Sequence, residues 1–251
     1  VVMSMIAIAG VVLSACAPGG GERPFSSSKT LRIVAGSEQR AILEQVVEPW
    51  CDKQGYSCPY ELLGSVDQAR LLQGGSTKYD AYWFASSVFA QLGNRESKLA
   101  DLEPMFTTPI VFAGRESVMK KLGFVGRTDV GIDDILAAIG KDNTKVWSTN
   151  PTQSNSGATT LFAFLNHFAG NEPGQPLTRE QLDTPAVDEG VTAFVHTMDR
   201  TPPSTGTMMR ECVESSECQT MFTYEALVIE QNQQRSGNEQ FHAVYPKGSL
   251  A

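Results

Sequence analysis

The chain has 251 residues, enough for one large domain or for two lobes with separate cores. Its 41% hydrophobic and 19% charged residues exclude a disordered chain. A net charge of -8 excludes a general nucleic-acid or anionic-membrane surface, while leaving room for a local anion site built from a few donors.

Residues 1–15 (VVMSMIAIAGVVLSA) carry no charge and are mostly apolar, which suits the h-region of a signal peptide. The run is shorter than the roughly 20 residues a comfortable membrane span needs. Leu13, Ser14, Ala15 and Cys16 follow the pattern of a bacterial lipobox. That resemblance implies that Cys16 is lipidated and becomes the mature N-terminus. The absent basic n-region leads us to expect a true start a few residues upstream. The alternative is a buried apolar segment ending in a chance cysteine. Residues 16–29 then read as a Gly/Ser/Pro tether (PGGGERPFSSSK) rather than as a core element. Export agrees with the remaining cysteines, which fall in two close pairs, Cys51 with Cys58 and Cys212 with Cys218. Neither pair is a CxxC and no histidine stands beside either, so two short-loop disulfides are expected rather than a metal site.

From Leu31 strands and helices alternate. LRIVA, YELLG and YDAYWFA read as strands, each followed by a helical pattern, and TPIVFAG as a further strand starting at Pro109. Such β-then-α units predict a mainly parallel sheet. A second α/β set follows. SVMKKLG, IDDILAAIG, the stretch after NPTQSNSGA, VDEGVTAFVHTM, PSTGTMMREC and EALVIEQNQQ read as helices, and TKVWST, MFTYE and FHAVYP as strands. In the helix after NPTQSNSGA, residues Leu161, Phe164, Leu165 and Phe168 make one apolar face. Residues 170–185 look like a surface excursion.

Ligands of open α/β sheets sit beyond the carboxyl ends of the strands, where helix N-termini point. Those ends collect small polar residues here: Ser37, Ser65 and Ser86 in the first half, then Ser154, Asn155, Ser156, Gly157, Ser204, Thr205 and Tyr224 in the second. Each alone is explained as a helix cap, worth roughly 1 kcal/mol against alanine. Repeated over two halves, the choice supplies neutral donors and backbone N–H groups to a polar or anionic solute.

These residues carry a family likeness. VAGSEQ, YDAYWFASS, TPIVFAGRESVMKKLG, NPTQSNSGATTLFAFL, MFTYEALVIEQNQ and AVYPKG resemble the type II periplasmic substrate-binding proteins of bacterial ABC transporters, over about residues 30 to 251. Within that group they resemble the phosphate-, sulfate- and molybdate-type binders, and lipoproteins of the kind found with von Willebrand A-type domains. The resemblance implies an α/β fold of two lobes, each a mainly parallel sheet flanked by helices. Lobe one would span residues 30–109 and lobe two, with the crossover, residues 110–240. Residues 241–251 would begin a return toward lobe one, which family members continue further. It also implies that the ten polar residues above bind the ligand, with no catalysis and no cofactor. A monomer anchored by lipid to the outer face of the cytoplasmic membrane would close its lobes on a small polar or oxyanion solute and deliver it to a permease. A sensor or interaction module of the same fold is the alternative.

Ser117-Val118-Met119-Lys120 matches the S-x-x-K of serine β-lactamases, an enzyme signature. The companion S-D-N and K-T-G motifs are missing in the required order. His167, His196 and His242 stand alone, without the clustering a metal site needs.

Overall fold

The computed structural model describes residues 29–95, 97–141, 144–172 and 174–247. The strands fall into two sheets. The first is parallel, in the order β2-β1-β3, from β1 (Ile33–Ala35), β2 (Tyr60–Leu62) and β3 (Ala81–Trp83). Its central strand is fully buried and its two flanks are only half so, as expected where the middle strand alone is covered on every side. Between β1 and β2 the chain runs helically through a 3-10 turn (Ser37–Gln39), α1 (Arg40–Ile42), a π-helical turn (Leu43–Val47) and α2 (Glu48–Gln54). α3 (Ser65–Gln73) and α4 (Ser87–Gly93) follow β2 and β3. Leu43 packs on Ile33, Ala35 and the Cys51–Cys58 disulfide to form this lobe's core.

The second sheet has the order β6-β5-β7-β4-β8. Its strands are β4 (Ile110–Arg115), β5 (Val146–Trp147), β6 (Met198–Arg200), β7 (Thr220–Tyr224) and β8 (Phe241–Val244). β5 runs parallel to β6 and β7, whereas β4 runs antiparallel to both β7 and β8. Both faces are covered, so β7 is buried along its whole length. The period of two along β4 sends Val111 and Ala113 to one face, with Trp147, Met208 and Met221. It sends Phe112 to the other, against Phe222, Phe164, Phe194 and Ile135. The covering helices are α5 (Glu116–Lys121), α6 (Ile132–Lys141), α7 (Asn155–Phe168), α8 (Arg179–Leu182), α9 (Pro185–His196), α10 (Thr205–Glu214) and α11 (Glu225–Asn232).

Four details differ from the sequence reading. β6, a short edge strand, has no counterpart in it. Phe241–Val244, expected to start a return to lobe one, pairs with β4 inside the second sheet. The 170–185 excursion contains α8, closed by a reciprocal cap between Thr178 and Gln181. On α7 the most buried side is Ser156, Gly157, Thr160, Ala163 and Phe164, while Leu161, Leu165 and Phe168 are only half-buried. The polar N-terminal turn of α7 is thus driven deeper than its apolar pattern suggests. Both cysteine pairs are closed, Cys212–Cys218 with an S–S distance of 2.03 Å. Cys16 and the apolar leader lie outside the described residues. Among the described residues no helix is long and apolar enough to cross a membrane.

Candidate functional site

Two glycines let the lobes meet backbone to backbone. A β-carbon on Gly206, in the first turn of α10, would stand 2.4 Å from the carbonyl oxygen of Ser37. One on Gly64, ahead of α3, would stand 2.2 Å from the carbonyl oxygen of Gln153. In the space so gained, Gly206 N–H donates to Ser37 Oγ at 2.8 Å. Val66 and Asp67 N–H donate to the Gln153 carbonyl at 3.0 and 3.3 Å, and Gln153 Nε2 donates to Asp67 Oδ2 at 3.2 Å. The chain is therefore in a closed arrangement, with helix N-termini of both lobes turned toward the same boundary.

The polar residues singled out in the sequence line that boundary unequally. Ser154, Ser156 and Thr205 form, with Thr149, a buried hydroxyl cluster between the N-termini of α7 and α10. Ser156 Oγ is its hub, at 2.6 Å from Thr205 Oγ1, 2.8 Å from Thr149 Oγ1 and 3.3 Å from Ser154 Oγ. A hydroxyl donates only once, so at most one of the three neighbours accepts from Ser156 and the others must donate toward it. Asn155 Nδ2 donates to the Tyr224 hydroxyl at 2.7 Å. Burial pushes the Tyr224 phenol well above its ordinary range, and the nearby Glu38 carboxylate adds to the effect. Gly157 packs its α-carbon against the Thr149 carbonyl.

The caps are also unequal. Ser154 and Ser204 hold the N-cap positions of α7 and α10 with extended backbones, yet neither side chain accepts from its own helix. Ser204 Oγ instead donates to Thr207 Oγ1. First-turn N–H groups of α7 are therefore left without a side-chain acceptor, which is the condition for an anion or polar ligand at a helix start. Ser86 behaves differently: it is half-buried and accepts from Val88 N–H, capping α4. Ser65 is buried and accepts from Ala85 N–H at 2.9 Å, tying α3 to the end of β3.

One residue at this boundary has no place in the sequence reading. Glu38 is half-buried beside Ser37, and loss of water pushes its carboxyl up to about 7, against weaker stabilisation by its own backbone N–H and the Gln39 side chain. An acid in the first turn of a helix is so ordinary that nothing in its sequence context marks it.

Ser117 is exposed on α5 and Lys120 pairs with Glu116 across one helical turn at 3.2 Å. Among the described residues, His, Cys, Asp and Glu nowhere gather in threes or more to hold a metal ion. His167 pairs with Asp133 and His242 with Glu116. An apolar cavity lined by Ile110, Ile135, Phe164 and Phe222 lies in the core of the second lobe and includes none of the residues at the boundary.

Residues 31–251 match the family of bacterial extracellular solute-binding proteins. The chain belongs to that family. Its members bind solutes and are not enzymes. Solved structures agree on the fold. The sulfate-binding protein SubI from Mycobacterium tuberculosis H37Rv aligns with a TM-score of 0.58 at 16% identity, covering 87% of this chain and 71% of that one. The periplasmic binding protein AfuA from Actinobacillus pleuropneumoniae, with exogenous fructose-6-phosphate bound, aligns with a TM-score of 0.53 at 14% identity, covering 88% and 70%. A two-component system protein described as mediating signal transduction aligns with a TM-score of 0.55 at 12% identity, covering 87% and 71%. No curated protein matches the sequence significantly.

Proposed function

We propose that this solute-binding protein is an exported lipoprotein, lipidated at Cys16, that captures a small polar or anionic solute by closing its two lobes and delivers it to the permease of an ABC-type importer. The observation that carries the reading is the start of α7, which lacks a side-chain cap beside the buried hydroxyl cluster of lobe two at the boundary with lobe one. The hydroxyls satisfy one another, whereas the first-turn N–H groups of α7 lack a side-chain acceptor; a buried donor costs free energy unless a partner repays it, and a solute oxygen held there is that partner. The ligand set is Ser37, Ser65 and Ser86 on lobe one, spanning residues 30–109, with Ser154, Asn155, Ser156, Gly157, Ser204, Thr205 and Tyr224 on lobe two. Hinge closure then needs no chemistry beyond hydrogen bonding, and the protein works as a monomer.

A thermal-shift screen of oxyanions and small polar solutes tests the reading. One solute should raise the melting temperature by several degrees, and Ser154→Ala with Ser156→Ala should abolish that rise while the variant stays folded by circular dichroism. A shift that survives the double substitution would put the ligand elsewhere. The likeness to a signal-transduction protein favours a second reading, a sensor of the same fold. Co-purification with a permease separates the two.

A further inference from the structure

Glu38 and Gln39 follow Ser37 on the turn that meets Gly206 across the lobe boundary. Both side chains fold back over Gly36, the glycine that follows β1. Glu38 Oε1 and Gln39 Oε1 lie 2.2 and 2.5 Å from the point a β-carbon on Gly36 would occupy. Gln39 is 2% exposed, and its Oε1 has no hydrogen-bond donor. The Glu38 carboxylate takes its own backbone N–H and the Gln39 side chain, and among the described residues no lysine or arginine pairs with it. Its charge is felt by the Tyr224 phenol of lobe two, whose hydroxyl accepts from Asn155 Nδ2. Two acceptor oxygens thus lie over Gly36, and the one on Gln39 has no donor. A buried acceptor left unpaired costs about 1–3 kcal/mol, so the site is built to be completed by a donor from outside the chain.

Resting on the solute-binding reading and deepening it, we infer that Glu38 and Gln39 set the solute class: they demand a ligand hydroxyl at the lobe-one side of the cleft, so the protein takes a polyol, sugar or sugar phosphate and turns away a fully deprotonated oxyanion such as sulfate. Sulfate at neutral pH offers acceptors alone and would set its charge against a carboxylate. A hydroxylated solute donates to Gln39 Oε1 or Glu38 and accepts from the helix starts of lobe two. Lobe two, whose donors are neutral, takes either kind of oxygen; selection falls to lobe one.

The test titrates the full chain at pH 8, where Glu38 is ionised, with sulfate, D-mannitol, glycerol 3-phosphate, glucose 6-phosphate and putrescine, by thermal shift and calorimetry. At least one hydroxylated probe should bind the native chain at least tenfold more tightly than sulfate. Glu38→Gln, which removes the charge and adds a donor, should shrink that ratio at least tenfold. Gln39→Leu, which removes the orphan oxygen without adding charge, should weaken the hydroxylated probe with little change for sulfate. The inference is overturned if sulfate binds the native chain as tightly as any hydroxylated probe, if putrescine binds best, or if Glu38→Gln leaves the ratio unchanged. Silence of every probe on the native chain would instead count against solute capture itself, and the inference would fall with it.

Discussion

Gly206→Ala should disable closure without harming either lobe. The added carbon would sit 2.4 Å from the Ser37 carbonyl oxygen and 2.7 Å from its carbon, distances that real β-carbons do not show. Relief requires the start of α10 and the Ser37 turn to part by roughly an ångström, since close-packed interiors have no slack to absorb the overlap. The Gly206 N–H bond to Ser37 Oγ is lost first, and the three bonds joining Val66, Asp67 and Gln153 are stretched with it. At about 0.5–1.5 kcal/mol each, losing two or three of these disfavours the closed form by roughly 2–3 kcal/mol. Solute affinity should then fall about 30- to 150-fold, because a ligand of the closed form binds in proportion to its population. Helix propensity predicts the opposite sign, as alanine is about 1 kcal/mol better than glycine within a helix. The melting temperature of the ligand-free variant should therefore hold or rise slightly while affinity drops. Small-angle scattering with and without solute, alongside calorimetry, reads both effects. Native affinity together with a native compaction on binding would refute the reasoning.

Two further outcomes follow from single groups. Glu38 titrates near 7 when folded, above its ordinary range, so the folded state holds the proton more tightly than the unfolded one. Its contribution is complete below the unfolded carboxyl range and is lost as pH rises through 7, by at most about 3 kcal/mol. Denaturant melts of the native chain should lose stability between pH 5 and 8 relative to Glu38→Gln, and parallel curves would sink the assignment. Replacing Cys212 and Cys218 together by alanine should cost roughly 2 kcal/mol, or several degrees in melting temperature, from loss of a short-loop constraint. A melt unchanged by the double replacement would show that the bridge adds nothing.

The local parts of this structure were legible because they rest on local physics. Buried apolar triplets such as Ile33–Ala35, and the spacing of Ile132, Ile135 and Ile139, announce their elements without help from the rest of the chain. The run of hydroxyls at strand ends likewise marks where the helices begin. What escaped depends on partners far away in sequence. Met198–Arg200 is too short to show a period and becomes a strand only because β5 lies beside it. Phe241–Val244 reads equally well as a strand of either lobe until β4 claims it. Gly64 and Gly206 look like ordinary turn and helix-start residues, and their need to lack a side chain arises only when the opposite lobe arrives. Glu38 is hidden for a similar reason: its acidity is set by burial, which no neighbour in the sequence foretells.

The two disulfides bear on how such a protein could move. Cys51–Cys58 spans a sequence separation of 7, from α2 to the approach to β2, and Cys212–Cys218 one of 6, from α10 to the approach to β7. Each staples a helix to the segment leading into the next strand of its own lobe, and neither crosses from one lobe to the other. Oxidation would therefore harden the two halves as separate rigid bodies and leave their relative rotation free. A thiol reagent should loosen each half while leaving the closing motion to glycines, hydroxyls and one carboxylate.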